Sequence, residues 1–415
     1  MKIAFILPQN IIGGGQISVY EHGRRLQSSG HDVVIIYREY VAGRDAIWFP
    51  QFGLKHLAWE NIDFKNSDYD IMIATWWETL YDIFLFNSKY YFYFTQDDER
   101  RFYEDPNSFK IRFCDLTYKL PDIGIITVPK WWKNVLHKEG NKHIGLAPSG
   151  FHETVFNPAK RKPNPDGKLK VMIEGPGEVW FRRVEDSFKA VEGLDGIEVW
   201  FKARGPYVDP KWKYDKIFFN CTTEELADLY AQCDVLLKMS EVEAFCLPNV
   251  EMMACGGTII TTNFTGHEEY SVPDVNSIVI NIRDTDAARQ AVIKLRDDRA
   301  LLAKLQANAY QTAKNMTWTV QTEKFEKALM ELVEIYKGHD YTHTRQLMNS
   351  LLDTKIAIEI TDRTKKKLEQ DYNNLFVQHH RNEYRLFRFI GRIVYRIPAI
   401  GTLLRKIFAT KGHSK

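Results

Sequence analysis

Two glutamates, Glu243 and Glu251, stand eight positions apart in Glu243-Ala244-Phe245-Cys246-Leu247-Pro248-Asn249-Val250-Glu251. Such a pair of carboxylates can orient hydroxyl groups, carry a proton or balance cations. The chain supplies cations in two places, Arg182-Arg183 and Lys202-Ala203-Arg204. Arginines and lysines aimed at an anion stabilise the negative charge that grows on a leaving group. For Arg182 and Arg183 the alternative is a surface ion pair with Glu185 or Asp186. Gly13-Gly14-Gly15 could offer backbone N–H groups to an anion with no Cβ in the way, or could simply turn the chain. The run Thr95-Gln96-Asp97-Asp98-Glu99-Arg100-Arg101 reads either as a loop that touches substrate or as a solvated cluster of self-paired charges.

Regular elements must position these residues. Val235-Leu236-Leu237 reads as a buried strand with Glu243 in the loop after it, and Pro248 can open the helix that carries Glu251, since proline is tolerated in a first turn. Gly256-Gly257 ends that helix and Thr258-Ile259-Ile260-Thr261 resumes as strand. This α/β unit holds a carboxylate at the carboxyl end of a strand, where open α/β sheets bind ligands. The same alternation runs through the chain. Short apolar runs predict strands at 2–7, 33–37, 70–74, 90–94, 124–128 and 144–148, with a helix over 16–29 between the first two. Lys160-Arg161-Lys162-Pro163-Asn164-Pro165-Asp166-Gly167 is the best linker. Beyond it, strands are expected at 169–174, 197–201 and 277–280, and helices at 182–192, 224–232, 284–297, 299–315 and 318–336. The expected fold class is α/β: two Rossmann-like domains, 1–160 and 168–318, facing across a cleft. A closing helix at 319–337 and a helical, basic extension at 338–415 follow.

Composition narrows the function. The 415 residues carry a formal net charge of +2, which gives no support to nucleic acid as a partner. The five cysteines, Cys114, Cys221, Cys233, Cys246 and Cys255, form no C-x-x-C pair, so neither a zinc site nor a disulfide framework is indicated and a reducing, cytoplasmic setting is expected. The first apolar run stops at Pro8, too short for a signal peptide. No run approaches the roughly 18 apolar residues of a spanning helix. A dinucleotide fingerprint is poorly matched: Gly13-Gly14-Gly15-Gln16-Ile17-Ser18 has serine at the third glycine, although Glu39 lies where a ribose-binding acid would. In the tail, Arg385, Arg388, Arg392 and Arg396 make one helical stripe opposite Leu386, Phe387, Ile390, Ile393, Val394 and Ile397. A basic amphipathic stretch over 385–411 reads as a peripheral contact with an anionic membrane surface. Docking on the protein's own core or on a second subunit is the alternative, so an oligomer stays open.

The segment from Glu243 through Glu-Met-Met-Ala-Cys-Gly-Gly-Thr-Ile-Ile resembles the signature of the retaining GT-B glycosyltransferases of family four, which read close to E-G-F-G-L-P-x-x-E-A-M-A-C-G-T-P-V-V. Other pieces agree in order: the glycine loop before Gly30-His31-Asp32-Val33, a hinge-like Ala147-Pro148-Ser149-Gly150-Phe151 with Phe156-x-Pro158, and Thr317-Trp318 opening a closing helix. The similarity covers roughly 1–337. It implies that Glu243 contacts the donor sugar, that Phe245, Cys246 and Leu247 lie by sugar and phosphate, and that Glu251 binds the ribose. Arg182 falls at the family's pyrophosphate-binding lysine, Arg183 stands in for a missing basic residue, Lys202 adds donor-side charge, and Gly14 or Gly15 meets the distal phosphate. Gln96-Asp97, with Glu99 and Phe102 behind it, is similar to rhamnosyltransferases of bacterial surface-polysaccharide assembly and marks the acceptor side. Cys246 departs from the pattern, replacing a usual glycine. The implied activity is a metal- and cofactor-independent, retaining hexosyl transfer, with rhamnose from a dTDP donor as the first expectation. The acceptor would be a growing surface polysaccharide or lipid-linked glycan. Alternatives are a UDP- or GDP-sugar donor with another sugar, a sugar-nucleotide epimerase on the same fold, and a non-catalytic partner protein.

Overall fold

The computed structural model describes residues 1–11, 13–41, 53–64, 66–120, 122–161 and 167–394, with the side chains of 372 and 375–394 outside the description. Residues Met1–Asn349 form one compact unit and Ser350–Lys415 a second.

The first unit contains two parallel sheets among its described residues. Strands β1 (Lys2–Gln9), β2 (Asp32–Glu39), β3 (Lys55–Ala58), β4 (Asp68–Ala74), β5 (Asn87–Thr95), β6 (Gly124–Thr127) and β7 (Ile144–Leu146) build a seven-stranded sheet in the order β3-β2-β1-β4-β5-β6-β7. Strands β8 (Leu169–Gly175), β9 (Ile197–Ala203), β10 (Lys216–Phe218), β11 (Val235–Lys238), β12 (Thr258–Thr262) and β13 (Ile278–Ile280) build a six-stranded sheet in the order β10-β9-β8-β11-β12-β13. In both, the first strand lies inside the order and the chain winds outward in two directions, so both halves are Rossmann-like. Central strands such as Ile3 to Ile6 and Val235 to Leu237 are fully buried. Covering a sheet on two faces removes the polar alternation and leaves the continuous apolar runs seen in the sequence.

Helices α1 (Gly14–Ser28), α2 (Trp77–Asp82), α3 (Phe109–Thr117) and α4 (Lys130–Lys138) belong to the first half. Helices α5 (Val184–Val191), α6 (Thr223–Gln232), α7 (Leu247–Ala254), α8 (Thr285–Asp297) and α9 (Arg299–Ala313) belong to the second. Helix α7 ends in a Schellman motif: Gly256 turns left-handed at φ 82°, its N–H reaches Met253 O, and Gly257 N–H reaches Met252 O.

The chain crosses between the halves twice. Outgoing Phe151 and returning Trp318 pair through Phe151 N to Met316 O and Trp318 N to Phe151 O, both 3.0 Å. A Cβ on Gly150 would lie 2.6 Å from Trp318 N, so this glycine is demanded by close approach. Helix α10 (Trp318–Ile335) then packs on the first half, with Phe325 against Phe5, Phe94 and buried His22. Helix α11 (Thr342–Val394) begins on the same half, where Thr344 Oγ1 donates to Asp122 Oδ2 at 2.9 Å and Arg345 stacks over Tyr91. Its residues 350–394 form the helical part of the second unit. The arginine stripe at Arg385, Arg388, Arg392 and Arg396, the apolar face opposite and the rest of 385–411 lie outside the described side chains, as do linker residues 162–166. Among the described residues no helix is long and apolar enough to cross a membrane.

The expected helix over 182–192 needs correction. Residues 180–182 form a 3₁₀ turn, Arg183 sits left-handed at φ 49°, and α5 starts only at Val184. Strands β3 and β10 and helices α2 and α3 are additions to the sequence reading. The two strands are edge strands of four and three residues. Too little of them is buried to print an apolar run.

Candidate active site

The carboxyl edges of both sheets border one cavity of about 960 Å³. From the first half come Gly14 and Gly15 after β1, Trp76 after β4, and Gln96 and Asp97 after β5. From the second come Glu174, Lys202, Arg204, Lys238 and the segment 242–248, with Glu251 behind it. The topology therefore gathers residues from distant parts of the chain at one place.

Glu243 is buried, receives a hydrogen bond from Ser240 Oγ at 3.1 Å and pairs with Arg182. Burial raises its pKa, but the charges of Arg182 and Lys238 and the bonds from Arg182 and Ser240 outweigh that, so the carboxyl ends below its ordinary value. It is an ionised group at neutral pH. Arg182 is held from behind as well: its guanidinium lies 5.1 Å from the centre of the Phe181 ring.

A second charge cluster lies next to this pair. Glu174, Lys202 and Lys238 sit at the carboxyl ends of the adjacent strands β8, β9 and β11. Lys238 Nζ donates to Glu174 Oε2 at 2.7 Å and Glu174 O at 2.9 Å, and Arg204 Nε reaches Glu174 Oε1 at 2.9 Å. Although burial opposes it, these cations bring the Glu174 carboxyl down to about 2. Lys202 is buried beside them with its pKa lowered, first by desolvation. Three cations around one carboxylate leave net positive charge at the strand ends. Glu174 and Lys238 were missed as site residues from the sequence, and Arg204 was read only as part of a positive strand end. The signal was there: a charge follows an apolar run near the end of each of two strands, Glu174 after Val171-Met172-Ile173 and Lys238 after Val235-Leu236-Leu237.

Glu251 points into the same cavity from α7. Burial pushes its carboxyl up to about 7 against the pull of Arg204 and Lys202. Cys246 occupies the N-cap of α7 at φ 62°, ψ 78°, a left-handed backbone that costs a side-chain-bearing residue roughly 1–2 kcal/mol. Burial and the charge of Glu243 drive its thiol pKa upward, so it is a neutral part of the wall. Gly266, at φ 100°, supports this segment from below, since a Cβ there would lie 1.9 Å from Ala244 O.

On the opposite wall none of Gly13, Gly14 and Gly15 adopts a positive φ, so the turn alone does not demand glycine. Gly14 and Gly15 form the first turn of α1, which starts two residues earlier than expected, behind an extended Gly13. A Cβ on Gly15 would press on Gln96 at 3.3 Å, and one on Gly14 would meet Leu247 of the other half at 3.7 Å. Gln96 Nε2 donates to Gly15 O at 2.9 Å. Asp97 is buried, and its Oδ1 accepts from Asp98 N at 2.7 Å and Arg101 Nη1 at 3.1 Å. Burial is the main cause that takes its carboxyl up to about 7, with the Asp98 and Glu243 charges adding to it.

The charge run after β5 divides between its two readings. Asp97 and Glu99 line the cavity. Arg100 instead ties Asp98, Asp115 and Glu139 together, and Arg101 bridges from Asp97 to Thr265 Oγ1 of the second half at 2.6 Å. Arg183 is the one expected donor-side residue not brought to the cavity wall. Its Nε donates to Asp186 Oδ2 at 2.7 Å, the ion pair that the sequence offered as its alternative.

Comparison with known proteins places this geometry. Residues 214–312, which include Glu243 and Glu251 but not Arg182, match the family model described as glycosyl transferases group 1. D-inositol 3-phosphate glycosyltransferase 1 of Catenulispora acidiphila is 26% identical over 118 residues, 28% of this chain and 28% of that protein. O-antigen biosynthesis protein RfbC of Myxococcus xanthus is 25% identical over 273 residues, 63% of this chain and 21% of that protein. The chain thus spans less than a third of the length of either curated relative. The solved structure of HepE from Anabaena with UDP and glucose superposes with a TM-score of 0.65 at 12% identity, covering 80% of this chain and 100% of that one. With two parallel-sheet Rossmann-like domains bordering one cavity, the chain has the GT-B fold, and part of its second domain is similar to glycosyl transferases group 1.

Proposed function

We propose that this chain is a glycosyltransferase that moves a sugar from a nucleotide-sugar donor to a glycan acceptor. The observation that carries the reading is the Arg182–Glu243 pair set beside the buried Lys202 and Lys238 and the more exposed Arg204 at the strand ends of the second domain. In this reading the donor's diphosphate lies against those cations, the sugar against Glu243 and the segment 245–247, and the ribose against Glu251. The bond from the anomeric carbon to the diphosphate breaks and the bond to the acceptor oxygen forms. The acceptor oxygen attacks from the face that the diphosphate leaves, its proton passing to the departing phosphate oxygen, and this same-face course retains configuration. Glu243, ionised by its cationic neighbours, orients the sugar and stabilises positive charge at the anomeric carbon. Charge on the leaving group is met by Arg182, Lys202 and Lys238, so we assign the step no metal. Rhamnose from a dTDP donor and a bacterial surface polysaccharide acceptor are the specific proposal. Its supports are the Gln96-Asp97 pair and the likeness to a relative named for O-antigen biosynthesis.

Calorimetric titration with UDP, dTDP and GDP tests the donor side. Ribose hydroxyls, or the single 3′-hydroxyl of the deoxyribose in dTDP, donate to the Glu251 carboxylate, so binding favours its ionised form. Since that carboxyl titrates at about 7, affinity rises as pH climbs through neutrality and levels off above it. Glu251→Gln, which cannot ionise, shrinks the pH dependence to what Asp97 and the nucleotide's own terminal phosphate contribute. Failure of all three nucleotides to bind refutes the transferase reading, and a pH dependence as steep in Glu251→Gln as in the parent refutes the ribose assignment.

We also propose that 385–411 holds the enzyme peripherally on an anionic cytoplasmic membrane face, each basic residue adding about 1 kcal/mol near the surface. Flotation with anionic liposomes compares the full chain with one ending at Lys337, and equal binding refutes this role.

A further inference from the structure

Trp76 and Phe102 line the cavity, yet the donor chemistry above uses neither. Trp76 follows β4 and Phe102 closes the 3₁₀ turn after β5, two strands that pair directly. Their ring centres are 5.8 Å apart at an interplanar angle of 37°. The row continues across the cleft: Phe102 to Phe181 is 5.8 Å and Phe181 to Trp180 is 5.5 Å, with Trp180 42% exposed. Phe181 also carries the Arg182 guanidinium over its ring, so the aromatic row runs up to the Arg182–Glu243 pair.

Most large aromatic rings of this chain serve the core, and the contrast within one dipeptide is informative. Trp77 is fully buried, donates from Nε1 to Tyr103 Oη at 2.9 Å and is held through its backbone N–H by Glu99 Oε2 at 2.6 Å. Its neighbour Trp76 is left at the cavity, with its backbone N–H fixed by Thr79 Oγ1 at 3.1 Å. The ring is thus presented on an anchored turn rather than tucked away. A pyranose has one face of C–H groups and a rim of hydroxyls. Aromatic faces suit the first, and a neighbouring carboxylate such as Asp97 suits the second. An acyl chain would gain from the rings but offers no hydroxyl to the Asp97 carboxyl.

We infer that Trp76 and Phe102 form a stacking platform for a sugar ring of the acceptor, with Asp97 taking its hydroxyls, so that the group presented to the donor is itself a sugar. This rests on the transferase reading of the Arg182–Glu243 side. The platform makes stacking a requirement for the acceptor and places it one ring away from the leaving-group arginine.

Saturation-transfer NMR on the full chain with UDP, dTDP or GDP present tests it, using the methyl glycosides of glucose, galactose, mannose, N-acetylglucosamine and rhamnose as probes. Ring C–H protons of at least one glycoside receive saturation. Trp76→Leu weakens that sugar about tenfold, as loss of an aromatic contact of about 1.4 kcal/mol would, while Trp76→Tyr keeps it. Thermal stabilisation by the same nucleotides reports separately on the fold and the donor site. Should Trp76→Leu not fold, Phe102→Leu carries the comparison. No saturation of any glycoside in the parent, or equal binding in both leucine variants, overturns the platform. Nucleotide stabilisation without sugar binding removes the platform alone. Sugar binding without nucleotide stabilisation removes the transferase reading and with it the acceptor role, and leaves only a sugar-binding surface.

Discussion

In the proposed transfer, replacing Arg182 with alanine lowers kcat by about 100- to 1,000-fold, the loss that follows when one preorganised donor to a developing oxyanion is deleted. In that role the guanidinium acts on charge that is small in the bound donor and large at the transition state, so the donor's KM changes far less than kcat. Arg182→Lys retains charge but gives up the planar, two-pronged geometry, and it falls between alanine and the parent. The alanine variant also exposes what Arg182 does for Glu243. Arg182 is the leading charge that holds this buried carboxyl below its ordinary value. Without it burial prevails and the Glu243 pKa rises, so residual activity falls off at a higher pH than in the parent. Steady-state kinetics over a pH series measure both effects. An unchanged kcat would sink the leaving-group role.

Lys238→Met destabilises the fold by about 3–5 kcal/mol, the usual cost of removing one partner from a buried ion pair. Glu174 and Lys238 have side chains only 2% and 4% exposed, which leaves the orphaned carboxylate little access to water. Arg204 remains on Glu174 Oε1 and places the expected cost at the lower end of that range. The sign with pH follows from the lowered Glu174 pKa. In the parent this carboxylate contributes stability that is present above the ordinary glutamate range and lost as pH falls towards about 2. In Lys238→Met the carboxyl is free to protonate, so the penalty is largest at neutral pH and shrinks on acidification. Glu174→Gln added to Lys238→Met recovers most of the loss because the uncompensated charge is gone. Urea unfolding of the two single variants and the double variant closes this cycle. A double variant no more stable than Lys238→Met would show that the lysine acts through packing rather than charge.

These two predictions concern residues that differed sharply in how readable they were. Arg182 was legible because it stands as an unexplained cation near a strand end. Its neighbour Arg183 looked equivalent, but a left-handed backbone at φ 49° turns it away to Asp186. Nothing local in Arg-Arg tells these two outcomes apart. Lys238 was passed over because a charge at the end of an apolar run usually marks only the point where a strand meets solvent. Its meaning depends on Glu174, sixty-four residues earlier, and on β8 lying beside β11.

The sequence by itself determined the elements whose signals are local. Apolar runs long enough to be covered on both faces became central strands, and Pro248 and Gly256-Gly257 bounded the helix behind Glu243. The order of strands and helices implied two α/β halves. Edge strands β3 and β10 escaped, since three or four partly exposed residues carry no period. What only the tertiary structure decided is which charges meet. Parallel strands bring residues 97, 174, 202, 238 and 243 to one cavity, and their protonation follows from that company. At Glu251 burial outweighs the pull of Arg204 and Lys202 and the carboxyl goes up, whereas at Glu174 the bonded Lys238 and paired Arg204 outweigh burial and bring it down. One glutamate closes a strand of the second sheet and the other sits on helix α7. The difference lies in their neighbours, supplied by chain crossings that no window along the sequence contains.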